Sequence, residues 1–217
     1  MVIACWSVKG GSGTSVVAAS LALIIAERSQ PPGALLVDLA GDSAAVLGLA
    51  EPVTGVREWL AAGDSAPADS LARLEVDAAP NLRLLPAGHL APPTTAARGE
   101  VLAALLGDDP RPVVIDAGVL SGEVALTVAA SATVSLLVVR PCYLALRRAV
   151  SAPLRPSGVV LVAEAGRALG RADVEAVLGV PVRAEVMVDP AVARAVDAGV
   201  LASRLPKPLA RALRHAA

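Results

Sequence analysis

A chain of 217 residues has room for one well-buried domain and is short for two. Its formal net charge of −1 excludes the overall basic footprint of a nucleic-acid-coating protein, and two cysteines are too few for a disulfide scaffold. Hydrophobic residues make up 55% of the chain but aromatics only 1%, so the core has to be assembled from Ala, Val and Leu in packed helices and buried strands.

In chain order, apolar runs of strand length are "VIACWSV" (2 to 8), "ALLVDL" (34 to 39), "NLRLLP" (81 to 86), "PVVIDAG" (112 to 118), "TVSLLVV" (133 to 139), "GVVLVA" (158 to 163) and "VPVRAEV" (180 to 186). Most are continuously apolar rather than alternating, as strands buried on both faces are, and helical stretches separate them. That alternation predicts an α/β fold over residues 1 to 217, a doubly wound, mostly parallel sheet flanked by helices. The Pro-containing joints at 31 to 33, 52, 92 to 93, 153 to 156 and 206 to 208 read as loops within one domain.

Two stretches imitate membrane spans. "VVAASLALIIA" (16 to 26) is too short, and "VALTVAASATVSLLVV" (124 to 139) carries Thr127, Ser131, Thr133 and Ser135 and reads as a helix running into a buried strand. With no leader-like segment before Val2 the chain is expected in the cytoplasm, with Cys5 and Cys142 as small buried hydrophobes. Cys5 lies inside the first predicted strand, which argues against an iron–sulfur site, and neither His89 nor His215 belongs to a recognisable nucleophile motif.

Ligands of such sheets bind at the carboxyl ends of the strands. After the first strand comes "KGGSGTS" (9 to 15), where Gly10, Gly11 and Gly13 allow successive N–H groups to turn inward and a helix starting near Thr14 adds its positive end. The result is an anion nest, although a glycine cluster also suits a plain turn. Lysine occurs only at Lys9 and Lys207 among many arginines, which singles out the one inside the glycine loop. Asp38 closes the second strand and Asp116 the fourth; carboxylates there hold Mg²⁺ directly or through water, or else cap the next helix.

The loop resembles the deviant Walker A motif, K-G-G-x-G-K-[ST], of ParA/MinD-type P-loop ATPases. The resemblance extends over nearly the whole chain and is specific at residues 8 to 15, 34 to 42, 112 to 118 and 158 to 199. It implies ATP or ADP with Mg²⁺ held by Lys9, Gly10, Gly11, Ser12, Gly13, Thr14, Ser15 and Asp116, with Asp189 and Pro190 on the base side. It further implies a homodimer in which Lys9 reaches the partner's nucleotide, and Ser15, Asp38 and Asp116 as the Mg²⁺ residues. Two positions depart from the family. Thr14 stands where the second lysine contacts phosphates, and Ala40 where the second aspartate of D-x-D supports hydrolysis, with Asp42 two residues on as a substitute. An asparagine for adenine is also missing near Val162 and Ala163.

Loss of the second lysine removes charge stabilisation of the transferring phosphoryl group, so hydrolysis is expected to suffer more than binding. Loops with Thr or Ala at this position resemble the TadZ/CpaE branch, which implies a positioning or regulatory factor for a cell-envelope machine such as Tad/Flp pilus assembly. The alternatives are a pseudo-ATPase scaffold that binds no nucleotide, a ParA-like DNA-partitioning protein and a MinD-like division-site protein. The last two would use the basic tail, with Arg204, Lys207, Arg211, Arg214 and His215, on DNA or at the inner face of the membrane; Pro206 and Pro208 leave only a short helix there, and a packed final helix is the bland alternative.

Overall fold

Every residue of β1 (Val2–Ser7) is buried, and its strict alternation splits it between two cores: Ile3 and Cys5 face one side of the sheet, while Val2, Ala4 and Trp6 face the other. The buried indole N–H of Trp6 is matched by a hydrogen bond to the Ser135 hydroxyl at 2.8 Å. This computed structural model describes residues 1–91 and 97–216. The proline joint expected at 92 to 93 lies outside the described residues.

Among these residues one eight-stranded sheet runs in the order β3-β4-β2-β5-β1-β6-β7-β8. The further strands are β2 (Ala34–Asp38), β3 (Val76–Ala79), β4 (Leu82–Leu85), β5 (Val113–Val119), β6 (Val134–Val139), β7 (Gly158–Ala163) and β8 (Val182–Met187). All pairings are parallel except β3 with β4. The doubly wound architecture predicted from the apolar runs is therefore present. On one face lie α1 (Thr14–Arg28), α2 (Ser43–Leu47), α8 (Pro190–Asp197) and α9 (Lys207–Leu213). The other carries α3 (Val56–Ala61), α4 (Ala97–Asp108), α5 (Glu123–Ala130), α6 (Tyr143–Val150) and α7 (Arg171–Leu178).

The differences from the sequence reading have local causes. β3 escapes the apolar-run test because "VDAA" is short and half exposed, an edge strand held antiparallel to β4 by the turn at Asn81. Its presence makes Asp116 a residue of the fifth strand. Asp116 also sits within β5 rather than at its end, since pairing with β1 resumes at Ser7 and Val119 after a register shift. β8 alternates buried Val182, Ala184 and Val186 with exposed Arg183, Glu185 and Met187, as an edge strand solvated on one face does. Cys5 is buried as expected, whereas Cys142 is only half buried because it precedes α6 at the sheet rim. The stretch 124 to 139 is α5 followed by β6, and no helix among the described residues is long and apolar enough to cross a membrane.

Candidate functional site

The loop between β1 and α1 turns through Gly11 and Gly13, whose φ values of 74° and 88° belong to the left-handed region that side chains disfavour. A Cβ on Gly10, Gly11 or Gly13 would meet no atom within 4 Å, so this backbone faces open space. Inside the turn, the Ser7 and Ser12 hydroxyls donate to the Lys9 carbonyl at 3.2 and 2.8 Å, and Ser7 also lies 3.2 Å from the Gly118 carbonyl. These bonds tie the loop to β1 and β5 and leave the α1 end of the loop facing outward. Gly13 precedes α1 without a side-chain cap, so the free N–H groups and positive end of the helix are available to a ligand.

The loop opens on a cavity of about 840 Å³. Gly10, Gly11, Ser12, Gly13, Thr14 and Ser15 all line it, together with Ala40 and Asp42 from the loop after β2, Gly118 from the end of β5 and Ser121 just beyond it. Lys9 is exposed and does not line the cavity of its own chain. Thr14 is almost fully buried and puts a neutral hydroxyl where the resemblance calls for a lysine.

Asp38 and Asp116 face each other across β2 and β5 in register, buried just beneath the cavity lining. Asp38 accepts from the Gly41 N–H at 2.6 Å and the Ser43 N–H at 2.9 Å, so it does hold the start of α2, the capping role considered for it. Burial raises its pKa, and the bonds from Gly41 and Ser43 oppose that only in part. Asp116 accepts from the Gly118 N–H at 3.1 Å and the Ser43 hydroxyl at 3.3 Å, and the Ser15 hydroxyl also favours its charged form. Burial, followed by the neighbouring Asp38 charge, pushes Asp116 up to about 7.

Two adjacent buried carboxyls, with the Asp38 charge raising the proton affinity of Asp116 and a serine hydroxyl leading from Asp116 to the cavity, have the chemistry of a site for a hard cation. Among the described residues no cluster of three or more acidic, His or Cys side chains could hold a metal alone. Mg²⁺, which keeps waters and takes phosphate oxygens as ligands, needs no such cluster. Ser15 would be its cavity-side ligand, with Asp116 and Asp38 behind. The nest, the cavity volume and the carboxyl pair therefore fit a phosphate chain with Mg²⁺.

Asp42 is exposed and lines the cavity together with Ala40, the position for which it is the expected substitute. Asp189 accepts from the Ala191 N–H at 2.7 Å as the cap of α8, and Pro190 starts that helix. Neither lines the cavity, whose far wall is instead Val196 and Asp197 at the other end of α8. Arg57 on α3 went unnoticed in the sequence. It is the only basic residue between Arg28 and Arg73, which was the available signal, but nothing in "GVREW" says where it points.

The family model for the cellulose biosynthesis protein BcsQ matches residues 1–141, most of the chain. The chain belongs to this family. Its fold agrees with that of solved ATPase structures over almost the full length of both partners. A ParA family ATPase from Chlorobium tepidum superposes with a TM-score of 0.78 at 20% identity, covering 98% of this chain and 95% of that one. The septum site-determining protein MinD of Pyrococcus horikoshii, solved with Mg-ADP, gives 0.77 at 20% identity over 99% and 93%. The Pyrococcus furiosus cell division ATPase MinD gives 0.76 at 23% over 99% and 95%. At these identities the likeness establishes the ParA/MinD P-loop fold of this BcsQ-family chain. No curated protein matches the sequence.

Proposed function

We propose that this chain is a nucleotide-dependent switch that binds ATP or ADP with Mg²⁺ and turns it over slowly or not at all. One observation carries the reading: the cavity of about 840 Å³ is lined by the complete glycine loop, Gly10 to Ser15, but by no lysine. The cradle that binds phosphate is kept while the charge that speeds phosphoryl transfer is absent. Mg²⁺, when bound, would neutralise phosphate charge and polarise the phosphoryl oxygens. Ala40 removes a second group on which hydrolysis depends in ParA/MinD relatives.

The reading extends to a homodimer that positions or regulates a cell-envelope machine. Membership in a family described by cellulose biosynthesis supports an envelope role over DNA partitioning, and the Thr14 loop keeps Tad/Flp pilus assembly among the machines to consider. The tail adds little to a membrane reading. Leu209, Leu213 and Ala216 are buried in the core, so α9 has no apolar face left for a bilayer. The protein would work in the cytoplasm, at the inner face of the membrane through a protein partner.

The test is calorimetric titration with Mg-ATP and Mg-ADP, read together with solution mass by light scattering. Micromolar binding and a doubled mass with Mg-ATP are expected. No binding at millimolar nucleotide would overturn the switch and leave the pseudo-ATPase scaffold, with function on the outer surface.

A further inference from the structure

Among the described residues that line the cavity, the only cationic side chain is Arg57. It comes from α3, not from the glycine loop. Its Nη2 donates to the carbonyls of Leu39 at 3.2 Å and Ala40 at 2.8 Å, and its Nη1 to the Leu90 carbonyl at 3.3 Å. The helix that carries it is itself pinned. The neighbouring Glu58 carboxylate accepts from the N–H groups of Gly55 at 2.7 Å and of His89 and Leu90 at 2.9 Å.

Three neutral carbonyls position this guanidinium without cancelling its charge. Its N–H groups outnumber these partners, and Nε is buried with none at all. No carboxylate makes an ion pair with it within 4.0 Å among the described residues, although its charge acts on nearby Asp38. The local sequence makes room for this arrangement. Ala40 is too short to pair with the guanidinium, and a side chain on Gly41, at φ 106°, would come within 3.1 Å of Nη2. A positioned, unneutralised cation thus lines the same cavity as a nest that has no lysine of its own in it.

We propose that Arg57 replaces the missing loop lysine in cis, contacting the terminal phosphate of a nucleoside triphosphate held by Gly10 to Ser15. The inference rests on the nucleotide-switch reading and adds the source of the compensating charge. Arg57 enters the cavity beside Leu39 and Ala40 rather than from the glycine loop, and on this proposal it meets the phosphate chain at its free end. It therefore discriminates triphosphate from diphosphate. A loop lysine, which touches the inner phosphates as well, discriminates less.

The experiment measures Mg-ATP and Mg-ADP affinities of the wild type, Arg57→Lys and Arg57→Gln by calorimetry, with thermal melts to verify folding. Glutamine keeps a polar stem without charge, and lysine keeps charge without the planar fork. Arg57→Gln is expected to weaken Mg-ATP about tenfold and Mg-ADP by less than about threefold, as loss of one charge-assisted contact predicts. Arg57→Lys should retain most of the ATP preference. Adding Thr14→Lys to Arg57→Gln should restore Mg-ATP affinity. Equal losses for both nucleotides, or no loss for either, would overturn the role of Arg57 while the switch stands. Failure of the wild type to bind either nucleotide would overturn the switch and this role together.

Discussion

At the residue scale the energetic weak point is Asp116, a fully buried carboxyl with another, Asp38, beside it. Its pKa is about 7 when folded and close to 3.8 when the burial is lost. A raised folded value means that the protonated form is the one the fold prefers. The stabilising contribution is complete below the unfolded value and is lost as pH rises through about 7. The nucleotide-free, metal-free protein should therefore gain roughly 1 kcal/mol on acidification from pH 8 to pH 6. Asp116→Asn should flatten that dependence and raise the melting temperature at pH 8 while abolishing Mg²⁺-dependent nucleotide binding. Melts across pH in chelator check the first part, and a variant that keeps the wild-type slope would remove Asp116 as its source. Thr14, which lines the cavity, yields a second prediction. Thr14→Lys should tighten Mg-ATP about tenfold by adding a charge-assisted contact. Phosphate release should stay slow, because Ala40 is untouched; brisk turnover in this variant would show that Ala40 is no obstacle.

At the scale of elements, the antiparallel edge formed by β3 is braced by Arg83 of β4 and by one arginine from a distant loop. Arg111, between α4 and β5, donates to both Glu75 carboxylate oxygens at 2.8 and 2.7 Å and to Asp109 at 2.9 and 2.7 Å. The side chains of Arg111, Glu75 and Asp109 are only 13%, 10% and 15% exposed, so water would not easily replace it. Removing it leaves Asp109 without its arginine and Glu75 with only the longer contact to Arg83, at 3.5 Å. Arg111→Ala should cost about 2 kcal/mol, below the full penalty for a dry interior pair because the cluster lies at the rim. Urea unfolding measures this, and a change below about 0.5 kcal/mol would mean that the ladder to β4 and the contacts of Arg83 hold β3 without Arg111. The sequence was readable here only in part. The core strands announced themselves because burial on both faces demands continuous apolar runs. β3 did not, since its four residues draw stability from Arg111, Arg83 and β4 rather than from their own hydrophobicity. β8 was legible as a strand but not as an edge, because its exposed residues alternate among apolar ones.

At the scale of the whole molecule, legibility follows sequence distance. Residues 9 to 15 form the nest within one turn, so composition and order were enough to find it. The adjacency of Asp38 and Asp116 needed the β2–β5 register, and the cavity-facing position of Arg57 needed α3 to fold back over the loop after β2; neither leaves a trace in local spacing. Lys9 is the remaining piece, and its position gives the last prediction. It is conspicuous in sequence yet exposed, outside the cavity of its own chain, with its carbonyl rather than its ammonium engaged in holding the loop. The proposed homodimer gives this exposed lysine a task, that of reaching the nucleotide of a second copy. Mg-ATP should then double the solution mass, and Lys9→Ala should weaken that dimer by about tenfold or more, the cost of unpairing a charge at a closed interface. Binding of Mg-ADP by the Lys9→Ala monomer should be unchanged, because within one chain the nest and Arg57 are intact. Light scattering of wild type and variant across protein concentration, with each nucleotide, decides it. A variant that dimerises as the wild type does would make Lys9 a surface lysine and leave Arg57 as the only side-chain cation at the phosphates.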